Sequence, residues 1–334
     1  MNIKIKGMIL KSCALCVAGG IIAASAVSAK TANFNKTAMD IRLSENNMHM
    51  DTNSDGEVLF YQYEETSYDE QSKIGNYSID KYTYNGIKEY KSEIKLATND
   101  KYILFMKEID DSGNIIVAGV EKKGTIHFVV CDGNGKELSS ISDNLGDKKY
   151  DSISIKDIYI KDSKLYYAYT KTNYVKNKCV EKTYIRCINS KSGKFINNSV
   201  LKHKSTGINM KIYDDRIYII SGNSVNSYTL NGKKTISYIL PKVKHDTKKI
   251  ALREQISIKG KYIYYTNGLD GIFRCKIDTK NADNNFTLYY DMKKDSRFNN
   301  NSFYDFCIKN NKTFYVRFGN DEDAPTQIVR YNRK

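Results

Sequence analysis

The sequence has few of the residues and motifs that mark the common catalytic protein classes. It contains two prolines, no tryptophan and four histidines in 334 residues. It has no GxSxG, HExxH, paired CxxC, Walker or GxGxxG motif, so the motif-defined hydrolase, zinc, nucleotide and dinucleotide sites have no support. Helical periodicity is almost absent, and the segment from Asp246 to Gln255 is the best candidate for a short helix. The residues therefore favour a β-rich chain without a recognisable catalytic motif.

The only long apolar run lies at the N-terminus and has the form of a secretory signal peptide. Three lysines precede the run from Cys13 to Val27, and the small residues Val27-Ser28-Ala29 follow. The run is short for a membrane span, which needs about 20 apolar residues. We expect residues 1–29 to be cleaved, leaving a secreted, extracellular or cell-wall-associated chain with no membrane span. Neither Cys13 nor Cys16 ends a lipoprotein box.

The cysteines that remain after cleavage are few and irregularly spaced: Cys131, Cys179, Cys187, Cys275 and Cys307. An odd, sparse set is not a disulfide framework, and no two stand at a zinc spacing. We expect them to fill small apolar gaps in strands, with a Cys179–Cys187 bridge as the alternative. No cofactor is expected.

Lysine and arginine outnumber the acidic residues, and the formal net charge is +15. The predicted signal peptide holds three lysines and no acidic residue, so the remaining chain carries +12. An excess of positive charge favours anionic partners. The abundance of Lys, Asn, Ile and Tyr also resembles the codon bias of an AT-rich bacterial genome, which would produce positive charge without a function.

What the sequence does have is a repeat. Short runs of Ile, Val, Tyr and Phe are broken by Asn, Asp, Gly and Lys, as expected for strands and turns. Six segments share a turn followed by an aromatic-rich strand: NSDGEVLFYQY, DDSGNIIVAGV, IKDSKLYYAYT, YDDRIYIISGN, IKGKYIYYTNG and KNNKTFYVRFG, anchored at Gly56, Gly113, Ser163, Asp215, Gly260 and Asn311. Four short antiparallel strands repeated every 40 to 50 residues or so are typical of propeller blades.

The segment SIKGKYIYYTNGLDGIFRCKIDTKN resembles one blade of the six-bladed propellers of the YWTD and DUF5050 type. GNIIVAG is similar to NHL-type repeats. The resemblance implies an all-β, six-bladed propeller with four-stranded antiparallel blades, the alternative being seven blades. Such propellers are mostly binding platforms, with some enzymes among them. We predict one propeller domain over residues 38–334, a short linker over 30–37 and a monomer.

Counting strands leaves the sixth blade one strand short, because the chain stops after Gln327 to Asn332. A spare strand-like segment, Ala38 to Leu43, precedes the first blade. Because an open ring leaves unpaired strand edges, we predict that Ala38–Leu43 pairs antiparallel with Gln327–Asn332 and closes the ring.

The segment DTNSDG supplies a weak candidate calcium site from Asp51, Asn53 and Asp55. A helix-flanked calcium loop needs a bidentate Glu at its twelfth position, which is Gln62 here, and the ninth position is Leu59. The same segment falls in register with the first turn of a blade. We therefore interpret it as a hairpin turn and predict no metal site.

Basic residues cluster in the predicted blade-to-blade loops, which share one face of a propeller with the turns between second and third strands. This basic loop face is the candidate ligand-binding surface and consists of Lys148, Lys149, Lys202, Lys204, Lys242, Lys244, Lys248, Lys249, Lys293, Lys294 and Arg297. The long link in blade three adds Lys171, Lys176 and Lys178. An opposite, acidic arc comprises Glu64, Glu65, Asp69, Glu70, Asp321, Glu322 and Asp323.

Two functional hypotheses follow from these patterns. The first is a non-catalytic binding module for a protein partner or an anionic envelope polymer such as teichoic acid, acidic polysaccharide or extracellular DNA. The alternative is a propeller-fold glycan hydrolase or lyase with carboxylates in the central channel. A channel with two or three carboxylates beside a Tyr, His or Arg would favour the enzyme, and an apolar or small-residue channel would favour binding.

Overall fold

The described part of the chain is almost entirely β-structure. The structure is a computed structural model, and it describes residues 34–43, 48–52, 58–82, 88–97, 105–109, 113–121, 124–146, 152–176, 178–201, 209–242, 254–277, 285–300, 302–319 and 326–334. These residues form six four-stranded antiparallel sheets, the blades of a six-bladed propeller. The prediction of six blades is confirmed, and the seven-bladed alternative is wrong.

Each of the first five blades takes four consecutive strands. The first strand of the chain, β1 (Phe34–Leu43), belongs to the last blade. The strands of the first five blades are β2 (Met48–Thr52), β3 (Val58–Asp69), β4 (Ile74–Tyr82) and β5 (Lys88–Ala97) in blade 1; β6 (Phe105–Glu108), β7 (Ile115–Glu121), β8 (Thr125–Cys131) and β9 (Glu137–Asn144) in blade 2; β10 (Ser152–Lys161), β11 (Lys164–Val175), β12 (Lys178–Asn189) and β13 (Phe195–Leu201) in blade 3; β14 (Met210–Tyr213), β15 (Arg216–Ser221), β16 (Ser224–Thr229) and β17 (Lys234–Ile239) in blade 4; and β18 (Gln255–Lys259), β19 (Tyr262–Thr266), β20 (Gly271–Lys276) and β21 (Thr287–Asp291) in blade 5.

The sixth blade combines both ends of the chain. Its strands β22 (Ser302–Ile308), β23 (Thr313–Gly319) and β24 (Thr326–Arg333) are completed by β1, which is hydrogen-bonded to β24. The pairing is antiparallel, from Phe34 opposite Arg333 to Met39 opposite Ile328. The predicted closure is confirmed, but the strand begins at Phe34 rather than Ala38.

Aromatic packing explains why the closing strand begins early. The half-buried Phe34 ring lies 5.3 Å from the Tyr290 ring and 5.2 Å from the Phe314 ring, both in edge-on geometry. Its centroid is 5.6 Å from that of Tyr289. These rings belong to blades 5 and 6, so Phe34 attaches β1 to two blades at once.

Five of the predicted anchor residues are described and lie between the first and second strands of a blade, and Gly56 falls in the undescribed link between β2 and β3. In blades 3 and 4 these turns have only two residues, and Asp162, Ser163, Asp214 and Asp215 all have positive φ between 46° and 59°. Two successive residues of positive φ define the type I′ hairpin turn, whose twist matches that of the flanking strands. The Asp-rich turn sequences are therefore fold signals.

The core lies between neighbouring blades. One buried cluster joins Tyr77 of blade 1 to Met106 and Val117 of blade 2, and another joins Tyr290 of blade 5 to Phe314 of blade 6. Most of the largest fully buried side chains are tyrosines. The tyrosine-rich strands thus supply the apolar contact area that a chain without tryptophan needs.

Buried polar contacts also tie adjacent blades. Arg186 of β12 donates two hydrogen bonds to Asp143 of β9, at 2.6 and 2.7 Å, and the Tyr167 hydroxyl donates to the same carboxylate at 2.7 Å. Burial and the neighbouring carboxylate raise the pKa of Tyr167 well above its usual value, so its hydroxyl stays protonated and able to donate. The three groups join blades 2 and 3.

The cysteines Cys131, Cys187, Cys275 and Cys307 are buried in strands, as predicted, whereas Cys179 is exposed. The Cys179–Cys187 bridge is wrong. Both thiols are free and lie in β12, eight residues apart, or about 26 Å along a strand, whereas a disulfide needs Cα atoms within about 7 Å.

Among the residues that the structure describes, helix occurs in the connection between blades 5 and 6, where a 3₁₀ turn (Met292–Lys294) precedes α1 (Ser296–Asn300). The helix predicted from Asp246 lies mainly outside the described residues, and its last residue, Gln255, begins β18. The predicted signal peptide is also outside them. Among the residues that are described, no helix has the length and apolar character to cross a bilayer.

Candidate functional site: the central channel

The innermost strands of the blades surround a cavity of 870 Å³ along the propeller axis. Contributions come from the first strands β2, β6, β10, β14, β18 and β22, together with Arg317 of β23. The lining is mixed. Its apolar part includes Phe105, Ile212 and Phe306, and its polar and charged residues are Lys107, Tyr159, Asn209, Lys211, Tyr213, Asp214, Gln255, Ser257, Lys259, Tyr304, Asp305 and Arg317. A cavity with an apolar wall and a limited set of polar groups is the usual form of a ligand site.

Four polar side chains occupy equivalent positions near the start of the inner strands in blades 3 to 6. They lie opposite the fifth residue of a second strand: Asp157 opposite Ala168, Asn209 opposite Ile220, Gln255 opposite Thr266 and Asp305 opposite Arg317. In blades 3 and 6 the residue before the aspartate is bulged out of the pairing, at Lys156 and Tyr304. Bulges redirect side chains, and here each precedes an aspartate on an inner strand.

Asp157 links three blades. Its carboxylate accepts hydrogen bonds from Lys107 Nζ of β6 at 2.8 Å, from the Ile158 amide at 2.9 Å and from the Ile212 amide of β14. Asp157 is fully buried and the Lys107 side chain is 18% exposed. A buried carboxylate with a charged partner and two amide donors is well satisfied. Lys107 therefore has a structural role in addition to lining the channel.

The equivalent residues of blades 4 and 5 also contact the next inner strand. The Asn209 side-chain oxygen accepts from the Ile256 amide at 3.2 Å, and the Gln255 amide nitrogen donates to the Tyr304 carbonyl. The inner ends of blades 3 to 6 are thus joined by side-chain to backbone hydrogen bonds. This arrangement makes the channel wall a connected, preorganised surface rather than six independent strands.

Cations outnumber carboxylates in the channel. Of the described lining residues, four are cations, Lys107, Lys211, Lys259 and Arg317, and two are carboxylates. The charge of Lys107 is balanced by Asp157, so the remaining lining carries three cations against the two carboxylates. The Arg317 guanidinium also lies 5.4 Å from the centroid of the Tyr304 ring, a cation–π contact.

The two carboxylates among the described channel residues lie at different levels of their blades. Asp214 lies in the β14–β15 turn at one mouth, whereas Asp305 is five residues before Asn310, the equivalent turn position of blade 6. Five strand residues separate the two levels by about 17 Å along the strands. Glycoside hydrolysis uses carboxyl groups about 5 to 9.5 Å apart. The residue types named in the sequence criterion for an enzyme are present, since Asp214 and Asp305 line the channel together with tyrosines and Arg317.

The mouth nearest Asp214 carries a second polar cluster. Lys161 Nζ forms an ion pair with Asp215 of the next blade, and the Tyr159 hydroxyl donates to the same carboxylate at 3.4 Å. Burial, followed by the charge of Asp215, raises the pKa of Tyr159, so the hydroxyl remains a donor at this mouth.

The structure describes only part of the predicted basic loop face. Lys242 is exposed after β17, Lys293 and Lys294 lie in the 3₁₀ turn, and Arg297 lies in α1. Lys293 Nζ is 2.6 Å from Asp270 Oδ1 and Lys294 Nζ is 3.3 Å from Asp291 Oδ2. The other members lie outside the described residues: Lys148, Lys149, Lys202, Lys204, Lys244, Lys248 and Lys249.

The acidic arc is described in blade 1, where Glu64, Glu65, Asp69 and Glu70 are all exposed. Its blade 6 members, Asp321, Glu322 and Asp323, are outside the described ranges. The topology agrees with the predicted face, because β3–β4 and β11–β12 are both second-to-third strand hairpins and so emerge on the same side of the ring.

The candidate calcium residues are only partly described. Asp51 belongs to β2, opposite Leu59 of β3, while Asn53 and Asp55 lie in the undescribed link between these strands. The link therefore joins two paired antiparallel strands, as the hairpin interpretation requires. In the described ranges, no three His, Cys, Asp or Glu side chains are grouped as a metal site would need.

Sequence reasoning missed the channel residues. Lys107, Lys211 and Lys259 each interrupt an apolar inner strand, but a lysine in such a strand resembles an edge-strand charge when the position of the strand in its sheet is unknown. A usable signal was the recurring polar residue five positions before each first turn, at Asp157, Asn209 and Asp305.

Comparisons with known proteins agree with the fold. No protein-family model and no curated protein sequence matches the chain. A protein of unknown function from Dyadobacter fermentans has a similar structure, with a TM-score of 0.52 and 8% identity over 90% of this chain and 99% of its own.

Two further solved structures are more distant. Pyrococcus horikoshii acylaminoacyl peptidase gives a TM-score of 0.44 and 12% identity over 84% of this chain, which spans 50% of the length of the peptidase. The Neurospora crassa Pan2 WD40 domain gives 0.45 and 9% identity, over 86% of this chain and 88% of that domain. At such identities the likeness concerns the fold alone.

Proposed function

We propose that the chain is an exported, non-catalytic propeller of the YWTD, DUF5050 or NHL-like type that binds an anionic polymer of the cell envelope. Its central channel receives an acidic group of the polymer, and the basic loop face contacts the rest. The observation that carries the proposal is the lining of the 870 Å³ cavity, in which Lys211, Lys259 and Arg317 accompany apolar and tyrosine side chains.

Physical chemistry supports an anionic ligand in two ways. Cations in a concave, partly apolar site attract anions more strongly than the same cations on an open surface, since less water screens them. Tyr159, Tyr213 and Tyr304 add aromatic surface with hydroxyl donors, which suits a polar ligand such as an acidic saccharide.

The enzyme alternative has less support. Among the described residues of the channel, Asp214 and Asp305 are the carboxylates, and their levels differ by about 17 Å along the strands. Binding therefore accounts for the lining with fewer requirements than glycan hydrolysis.

A polymer-binding array tests this proposal. The purified chain is applied to teichoic acids, acidic and neutral polysaccharides and single-stranded DNA at low salt, followed by titration of the best binder. We expect an acidic polymer to bind and a neutral polysaccharide of similar length not to bind. Binding of neutral polymers alone, or of none, would contradict the proposal.

A matched pair of variants separates the channel from general surface charge. Lys211→Gln with Lys259→Gln removes two channel cations and should weaken binding about tenfold or more. Lys191→Gln with Lys194→Gln removes two exposed lysines at the β12–β13 turn and should change binding less than twofold. Equal loss in both variants would show that net charge alone is responsible.

A further inference from the structure

Two blades carry β-hairpins much longer than the others, and both project from the same face. The second strands β3 and β11 have 12 residues each, whereas those of the other four blades have five to seven. In every blade the second strand begins directly after the turn that follows the first strand, on the face of the ring opposite to these long hairpins. Five extra residues therefore extend a hairpin by about 17 Å beyond its neighbours.

The two projections have opposite charge. Residues 64–75, the acidic ribbon, contain four carboxylates and one lysine, giving a net charge of −3. Residues 171–182, the basic ribbon, contain four lysines and one carboxylate, giving +3. Glu64, Glu65 and Glu70 are exposed on the first ribbon. Exposed lysines of the second are Lys176, Lys178 and Lys182.

Apolar side chains near both tips add contact surface. On the basic ribbon Tyr174 is 66% exposed and Val175 is 55% exposed, with Val180 also exposed beside them. On the acidic ribbon Ile74 is exposed. Large apolar side chains held out on a two-stranded projection are typical of a contact surface.

The acidic ribbon belongs to blade 1 and the basic ribbon to blade 3, so blade 2 lies between them in the ring. Its own second-to-third strand hairpin is short, with β7 and β8 of seven residues each. The face therefore has an acidic projection and a basic projection on either side of a lower blade.

We infer that the two ribbons bind a second copy of the same chain, with the acidic ribbon of each copy against the basic ribbon of the other. A two-fold axis over blade 2 exchanges the ribbons, so one dimer satisfies both contacts at once. The matching net charges of −3 and +3 are the observation that identifies a second copy as the occupant. The predicted monomer is the competing hypothesis.

Two variants, each with the charge of one ribbon reversed, test the inference when they are measured separately and then mixed. The basic-ribbon variant is Lys176→Glu, Lys178→Glu and Lys182→Glu, and it leaves that chain with two acidic ribbons. The acidic-ribbon variant is Glu64→Lys, Glu65→Lys and Glu70→Lys, which gives two basic ribbons. Asp69 is kept, because its carboxylate accepts from the Gln71 and Ser72 amides in the turn.

Sedimentation velocity of the full chain gives the readout. We expect the parent to form dimers at about 100 μM and about 50 mM salt, and to dissociate at about 500 mM salt, since exposed charges are screened. Each variant alone should be monomeric, with a dissociation constant raised at least tenfold. An equimolar mixture of the two should form dimers again, because both contacts then join opposite charges. Recovery in the mixture also shows that both variants are folded.

A control variant has the same charge change elsewhere. Lys191→Glu, Lys194→Glu and Lys233→Glu reverse three exposed lysines in turns between third and fourth strands, which lie on the other face. This variant should dimerise as the parent does. A parent that remains monomeric in low salt, a mixture that remains monomeric, or assemblies that grow beyond two copies would overturn the inference.

Discussion

A single carboxylate, Asp295, joins the N-terminal strand to the connection between blades 5 and 6. It is 2% exposed and accepts hydrogen bonds from the Tyr290 and Tyr331 hydroxyls, each at 2.8 Å. It also forms an ion pair with Lys36 Nζ of β1 at 3.1 Å and accepts from the Arg297 amide at 3.2 Å. Burial opposes ionisation, yet these donors together lower the pKa of Asp295 below its usual value.

The sign of this pKa shift predicts how stability depends on pH. Because the folded-state pKa is lowered, the ionised carboxylate stabilises the fold above the unfolded-state pKa, about 3.9, and this contribution is lost as pH falls through the lower folded-state value. Asp295→Asn should lower the free energy of unfolding at pH 7 by about 2 kcal/mol. The gap between variant and parent should narrow below about pH 4.

Urea denaturation at pH 7, 5 and 3.5 measures this difference. Asp162→Asn, an exposed change at a turn position of positive φ that Asn tolerates, serves as the control and should stay within about 0.5 kcal/mol of the parent. A gap for Asp295→Asn that is constant across the pH range would contradict a role for its charge.

Among the elements, β1 contributes most for its length, because it completes a blade that the C-terminal strands cannot complete alone. Phe34 is its anchor, through ring contacts with Tyr289, Tyr290 and Phe314. A chain that begins at Lys36 keeps much of the backbone pairing but loses this ring. The sequence pattern indicated only that the apolar residues Met39, Ile41 and Leu43 alternate with charged ones, so it placed the start of the strand too late.

Phe34→Ala should lower the free energy of unfolding by about 2 kcal/mol, since the ring is half-buried and its removal leaves a gap among aromatic neighbours. Asn35→Ala, in the same strand but exposed, should change it by less than about 0.5 kcal/mol. A chain beginning at Asn46 lacks β1 altogether and should lose its cooperative thermal transition. Equal stability of the Phe34 and Asn35 variants would show that β1 acts through backbone pairing only.

For the whole molecule, the proposed function predicts that the two faces respond differently to loss of charge. Replacing Lys242, Lys244, Lys248 and Lys249 with Ser should weaken binding to an acidic polymer and reduce its dependence on salt, because fewer counterions are released. The matched replacement of Lys191, Lys194, Lys233 and Lys234 removes the same charge from the opposite face and should leave both quantities near the parent values.

Binding isotherms at three salt concentrations measure the effect, with the melting temperature as a check on folding. Exposed changes of this kind usually cost less than about 0.5 kcal/mol each. If both quadruple variants have the same salt slope, the basic loop face contributes only net charge.

The sequence repeat made the fold predictable, whereas the residues of the candidate site could not be predicted from it. Six turns at regular spacing determine six blades, and a missing outer strand determines closure, because both are properties of the chain order. The channel depends instead on which residues of separate blades meet across the axis. Lys107 and Asp157 are 50 residues apart and meet only because neighbouring blades pack. No local pattern contains that information.

The closing strand also fixes when folding can finish. Phe34 pairs with Arg333, so this contact joins residues that lie at, or next to, the two ends of the described chain. Synthesis proceeds from the N-terminus, and β1 therefore waits without its partner until β24, the last strand, has been made. Such long-range closure is slow, because the entropy of forming a loop of almost the full length is lost before the pairing is gained. Blades 1 to 5 can each form from consecutive strands as they emerge, whereas the ring becomes complete only after β24 has been made.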